Sequence, residues 1–458
     1  MIGASRRIRV AVDLTPLRGG GENGGAKTLV ITLLQEFARY RTDDFEYLLI
    51  AEPWNYEELK NYQSDNIVCQ LKSEIYGGGT QSSSKGALPS STLRGKTKPG
   101  AALSTAKLKG RVVRFAKRVI AKLAYFIDKV ASKVLNTQNP VSNLFDRLVR
   151  TTSARTRSGI LQGKHRVDLL FCPFSAPTLA EHGLPLVAIG YDFQHFDLPF
   201  FFDDIERAHR TRFLNALNYQ SQKIICISDF TRQSFIKHLN TPLDKLTAIP
   251  ICIHERLEKK SDAYVESVLA SQGLQRDCYL FFPANFWPHK NHSLLLAAYS
   301  IYQQKFTDQA LDLVFTGALQ SSQETLESLV HKMGLSGRIH FLGFLNQDEL
   351  IAIWQGTKGL IFPSLYEGFG IPVLEAFWFD KPVACSNIGS LPEVGGDAVI
   401  YFNPRKPEAV AKAMGQLAHD QDACSRLQVL AKDRLQHFKK QRMTSEYLSV
   451  FEAVIAKK

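Results

Sequence analysis

Along the chain, short apolar runs alternate with longer stretches in which apolar residues recur at helical spacing. Ile8-Arg9-Val10-Ala11-Val12 reads as a strand, Gly19 to Gly25 as a glycine loop, and Ala26 to about Tyr40 as a helix with Leu29, Leu33, Leu34 and Phe37 on one face. Tyr47-Leu48-Leu49-Ile50 is the next strand. After a break, strands return at Val167 to Cys172, Leu186 to Gly190, Lys223 to Ile227 and Leu246 to Pro250, with helices at Arg207 to Tyr219 and Asp229 to His238. Ser228 stands where an N-cap is wanted. A second series places strands at Tyr279 to Pro283, Leu311 to Thr316, Ile339 to Phe341, Lys358 to Pro363, Pro382 to Ser386 and Val399 to Phe402, with helices between them. Such alternation implies parallel, helix-covered sheets. The expected fold class is α/β, with two Rossmann-like doubly wound domains facing a cleft and ligands at the carboxyl ends of the strands. The expected bounds are 1–253 for the first domain, 254–276 for a linker and 277–435 for the second domain. A helix within 436–458 is expected to cross back to the first domain.

Length and composition narrow the class. The 458 residues suit two or three domains. No apolar run approaches the roughly 18–20 residues needed to span a bilayer. The start lacks the apolar core and cleavage site of a signal peptide, so the expected location is cytoplasmic. The seven cysteines are scattered without a Cys-x-x-Cys pair and read as reduced thiols, not metal ligands or disulfides.

Charge changes the picture in one place. Lys72 to Arg157 holds 18 Lys/Arg against 3 Asp/Glu, so the net charge of +12 belongs to this segment and the remainder is slightly acidic. The segment is expected to be a basic insertion at about 73–160. It opens with a Gly-, Ser- and Pro-rich stretch, 77–106, too polar to order itself. It continues as an amphipathic helix over 110–135, whose Lys/Arg face lies about 120° from its apolar face. That helix either rests on an anionic membrane at its inner face or packs on the core; the sequence leaves both open. Few aromatics accompany the charges, which argues against a nucleic-acid-binding protein, the reading from a different class.

The densest chemistry runs from Ile361 to Ala376. A buried strand ends near Pro363, a turn with Gly368 and Gly370 follows, and Pro372 opens a helix where its missing N–H costs little. Glycines let the backbone approach a ligand, and the helix start offers free N–H groups to a diphosphate. Glu367 and Glu375 flank that anion site, which suits hydroxyl acceptors: one for a sugar, one for a ribose.

These residues resemble the group-1 (family 4) retaining glycosyltransferases of the GT-B fold, whose signature E-G-F-G-x-P-x-x-E-A matches Glu367 through Ala376. Ser386 to Ala398 resembles the stretch that accompanies it. The resemblance implies that Glu367 contacts the sugar of a nucleotide-sugar donor and Glu375 the ribose. Backbone amides at Phe369, Gly370, Val373 and Leu374 would hold sugar and phosphates. Gly343 and Phe344 resemble the base-binding loop, and Gly24 and Gly25 the loop closing over the phosphates. Lys290 matches a diphosphate-neutralising lysine, whereas the arginine usual five residues earlier is Asn285 here, so His289 is a candidate for part of the missing charge. Asp192 matches the aspartate of a His-Asp pair, Tyr191 stands in the histidine's place, and His195 is the candidate substitute. The expected catalytic set is thus Glu367, Asp192 and His195. Asp420-Gln421-Asp422 lies far from any strand end, so no metal and no cofactor are expected. The implied activity is transfer of a hexose, with mannose from a GDP donor the first candidate, to a glycan on a lipid or polysaccharide. A nucleotide-sugar epimerase of the same fold is the rival enzyme.

Overall fold

The computed structural model describes residues 6–19, 24–77, 159–317 and 321–457. The expected basic helix at 110–135, and the Gly/Ser-rich stretch from position 78 on, lie outside the described residues. The first sheet comprises β1 (Ile8–Asp13), β2 (Phe45–Ala51), β3 (Ile67–Leu71), β4 (Leu169–Cys172), β5 (Leu186–Gly190), β6 (Lys223–Cys226) and β7 (Leu246–Ala248), in the order 3-2-1-4-5-6-7. The second comprises β8 (Tyr279–Pro283), β9 (Asp312–Thr316), β10 (Ile339–Phe341), β11 (Gly359–Phe362), β12 (Val383–Ser386) and β13 (Ile400–Phe402), in the order 10-9-8-11-12-13. The strand pairings within both sheets are parallel. Strands buried on both faces must be apolar throughout, which is why β4, β5 and β11 are unbroken apolar runs.

Each sheet reverses direction between two neighbours that are distant in sequence: β1 beside β4, and β8 beside β11. Loops leaving such a pair diverge to opposite faces and open a crevice at the strands' carboxyl ends. In the second sheet those loops carry Asn285 to Lys290 and Ser364 to Gly370, so the fold itself brings the two motifs together. Two doubly wound domains facing a cleft, the GT-B arrangement, are what the sequence pattern led us to expect.

Two segments join the domains' packing. Helix Asp262–Ser271 sits in the stretch expected as a connector, and its Leu269 occupies the space beside Gly356, where an added Cβ would meet it at 2.7 Å. Helix Lys440–Ile455 lies on the first sheet. Its Phe451 packs on Phe171 and Phe37 with ring centroids 5.1 and 6.1 Å apart, and Glu452 pairs with Arg41 at 2.7 Å. Among the described residues no helix is long and apolar enough to cross a membrane.

Candidate active site

The loop after β8 is pinned to the loop after β11. Asn291, left-handed at φ 68°, donates its side-chain amide to Pro363 O at 3.1 Å and Pro404 O at 2.8 Å. Asparagine tolerates that backbone better than most residues. Leu365 N–H donates to His289 O at 2.7 Å. So held, Lys290 Nζ reaches Glu367 Oε1 at 2.6 Å, with both side chains largely buried.

Glu367 sits on a turn that only small residues could form. A Cβ on Gly368 would meet Tyr191 O at 2.5 Å, and one on Gly370, at φ 99°, would meet Leu391 Cδ2 at 2.5 Å. Ser228 Oγ donates to Gly368 O at 2.6 Å, and Thr231 Oγ1 to the same oxygen at 3.2 Å. The Ser386 to Ala398 stretch supports the turn: Ser390 Oγ donates to Glu367 O at 3.0 Å. From the same stretch, the Glu393 carboxylate accepts the N–H groups of Asp229 and Phe230 at 2.7 and 3.0 Å, capping a helix of the first domain. The Glu367 to Gly370 turn is thus clasped by both domains.

Helix Ile371–Trp378 follows with Gly370 as its N-cap and Pro372 in its first turn. Glu375, buried one turn in, faces Arg256 Nη2 at 2.6 Å. Arg256 comes from the 3-10 turn His254–Arg256 between the domains and is steadied by Ile253 O at 2.7 Å.

A cleft of about 860 Å³ opens over these residues, lined from the second domain by Asn285, Trp287, Lys290, Phe344, Glu367 to Pro372 and Glu375. Gly24, Gly25, Tyr191, Asp192, Arg210 and Arg256 line it from the other side. Gly25 touches the far wall, since a Cβ there would meet Ile371 Cδ1 at 2.6 Å. A groove of about 990 Å³ between β7 and the last helix holds none of the motif residues.

Most of the expected residues therefore meet, with exceptions. His195 does not reach the cleft; it is buried on a short helical turn, Gln194–Asp197, with Nε2 3.2 Å from Thr211 Oγ1. Burial, then Arg210, pushes its imidazole down to about 4. Three residues after Asp192, the turn has rotated the side chain into the core. His289 is disfavoured as a cation in the same way, pushed down to about 3 by burial and then by Lys290. Val373 and Leu374 are buried residues of helix Ile371–Trp378, and the Val373 N–H is already engaged by Gly370 O at 3.0 Å. Gly343 is not part of the cleft lining; its carbonyl accepts the N–H of Gly317, which is, at 2.9 Å. Phe344, next to it, is 72% exposed into the opening, as is Trp287 at 51%.

Asp192 lines the cleft, accepts the Gln194 N–H at 3.1 Å, and has its carboxyl pushed up by burial, with Glu367 adding to the shift. The sequence reading missed Arg256 and Arg210, which come from outside every motif. Their only signal is a pair of basic residues in segments that the topology folds over the cleft. Chemically, the site offers a helix N-terminus, cations and two carboxylates within one crevice, a set that binds a diphosphate beside hydroxyl groups.

Known proteins resemble the chain in sequence and in fold. The family "Glycosyl transferases group 1" matches residues 270–434. The chain is 30% identical over 215 residues to O-antigen chain mannosyltransferase B of Escherichia coli, covering 46% of this chain and 56% of that protein. It is 26% identical over 250 residues to O-antigen chain mannosyltransferase RfbU of Salmonella typhimurium, covering 54% and 65%. The match thus spans 56% and 65% of the length of these two relatives. In fold, it resembles Anabaena Alr3699/HepE, solved with UDP and glucose, at 14% identity and TM-score 0.64, covering 98% of this chain and all of that one. It likewise resembles a glycosyltransferase from Rickettsia africae at 12% identity and TM-score 0.62, covering 99% of this chain and all of that one. Residues 270–434 thus match the group-1 glycosyltransferases, in a chain with the GT-B fold.

Proposed function

We propose that the chain is a retaining hexosyltransferase that moves mannose from a GDP donor to a growing surface glycan carried on a lipid or polysaccharide. The observation that carries this reading is the pairing of Lys290 with Glu367 at the mouth of helix Ile371–Trp378, beside Glu375 and Arg256. The diphosphate lies at the helix N-terminus with Lys290, the ribose against Glu375, and the sugar hydroxyls against Glu367. The mannose assignment draws on the relatives, two of which are O-antigen mannosyltransferases by name.

Double displacement needs a carboxylate at the anomeric carbon. Glu367 is committed to hydroxyls in this reading, so substitution proceeds on one face. The acceptor hydroxyl oxygen bonds to C1 as the C1–O bond to the diphosphate breaks. The hydroxyl proton passes to the leaving phosphate oxygen, giving the glycosylated acceptor and the nucleoside diphosphate. NMR of the product tests this: an α-linked product from an α-linked donor is expected, and a β linkage refutes retention. The epimerase and nucleic-acid readings are not favoured, because relatives and fold neighbours alike are named as transferases.

The peripheral-membrane reading rests on the basic segment of the sequence alone. Its test is retention on anionic but not neutral vesicles, falling with salt. Indifference to anionic vesicles at low salt would contradict it.

A further inference from the structure

The cations of the cleft are unequally engaged. Lys290 and Arg256 each lie 2.6 Å from a motif glutamate, so both charges already have partners within the cleft. Arg210 differs. It projects from helix Asp204–Gln220 of the first domain and lines the same cleft. Its carboxylate partner, Glu206, sits one turn earlier on that helix and is not part of the cleft lining. Glu206 Oε1 accepts from Nε at 3.0 Å and from Nη2 at 2.9 Å, and the Phe202 ring lies beneath the guanidinium at 4.6 Å. Arginine has five N–H donors in a fixed fork, so this hold fixes the group and leaves donors for a second anion. In the second-domain wall of the cleft, Asn285 offers no charge.

We propose that Arg210 is the second cation of the diphosphate site, reaching from the first domain to a diphosphate whose other side is held by Lys290 and the start of helix Ile371–Trp378. This rests on the donor-site reading above and names a residue that the motifs do not contain. The electrostatics agree: the Arg210 charge is felt at His289, next to Lys290, and at Asp192, which also feels Lys290 and Glu367. A diphosphate gripped from both domains ties donor binding to a closed cleft. The nucleoside diphosphate product then leaves only as the Arg210 side withdraws.

Titration calorimetry with GDP and with UDP tests this on the wild-type chain, Arg210→Ala, Arg210→Gln, Asn285→Arg and the double variant Arg210→Ala/Asn285→Arg. Losing one charge-assisted contact should weaken nucleoside diphosphate binding by about 10- to 100-fold in both Arg210 variants. Asn285→Arg supplies a cation from the facing wall and should restore most of that loss in the double variant. Arg210→Gln keeps the stem over Phe202, and the thermal unfolding midpoint of each variant separates lost binding from lost fold. If Arg210→Ala and Arg210→Gln bind both nucleotides as the wild type does and lose only acceptor-dependent turnover, Arg210 faces the acceptor and the proposal is overturned. Equal weakening without any rescue by Asn285→Arg would also contradict it. Failure of the wild type to bind either nucleotide would instead remove the donor-site reading itself.

Discussion

Arg256 and Glu375 meet at 2.6 Å, joining the turn between the domains to helix Ile371–Trp378, where the proposed donor site lies. The second motif glutamate is therefore held in place before any ligand arrives. The guanidinium keeps one oxygen of the buried carboxylate directed, which suits the acceptance of ribose hydroxyls. Removing Arg256 takes from the buried Glu375 its charged partner, whereas Arg256 without Glu375 keeps its bond to Ile253 O.

For Glu375→Ala we predict weaker nucleotide binding by on the order of 1.5–3 kcal/mol, the worth of a hydrogen bond to a charged group. Arg256→Ala should weaken it less, because Glu375 remains to contact the ribose. Calorimetry with the nucleoside diphosphate measures both. Unchanged affinity in Glu375→Ala would remove the ribose assignment.

Lys290 and Glu367 make a second prediction. Lys290→Ala removes a cation and also leaves Glu367 with an uncompensated charge near the diphosphate. Donor affinity should therefore fall steeply, by about 10-fold or more, and adding Glu367→Gln should recover part of it. Glu367→Gln alone should mainly lower turnover. Normal donor binding by Lys290→Ala would show that the loop after β8 does not face the diphosphate.

The buried histidines set a pH dependence. His195 and His254 are pushed down to about 4, and His289 and His292 to about 3, in each case first by burial. The folded chain keeps them neutral while an unfolded chain protonates them near the ordinary value of 6.5. Below that value the unfolded state binds more protons, so the stability they support is complete above about 6.5 and is lost as pH falls from there toward 4. Thermal midpoints between pH 8 and pH 4 should show that loss. Because burial and Lys290 disfavour the charged His289, wild type and His289→Gln should share one pH profile for nucleotide affinity. A wild-type gain below pH 6.5 that His289→Gln lacks would show a charged imidazole at the diphosphate.

Much of this molecule was legible in its sequence, for reasons that differ by residue. Strands such as β5 and β8 stand out because burial on both faces demands unbroken apolar runs. The Glu367 to Glu375 motif is local, so spacing along the chain already fixes its turn and helix. Strand β3 was not anticipated: at the sheet edge it mixes an exposed Val68 and a half-buried Gln70 with buried neighbours, which blurs the signal. His195 was misread because closeness in sequence to Asp192 carries no information about which way a short helical turn aims a side chain. Arg256 and Arg210 were invisible for the opposite reason. Arg256 lies 119 positions from Glu375, and only the packing of two domains brings them together.

The most direct test of the central claim is coupling between nucleotide release and glycan growth. The full chain would be incubated with GDP-mannose, then with UDP-hexoses, with and without a lipid-linked glycan pool, and both nucleotide and glycan masses followed. The expected result is nucleoside diphosphate released in step with acceptor molecules that gain one hexose, from one donor, only when acceptor is present, and nearly abolished in Glu367→Gln. Conversion of the nucleotide-sugar without acceptor, or an acceptor pool left unchanged by every donor, would contradict it.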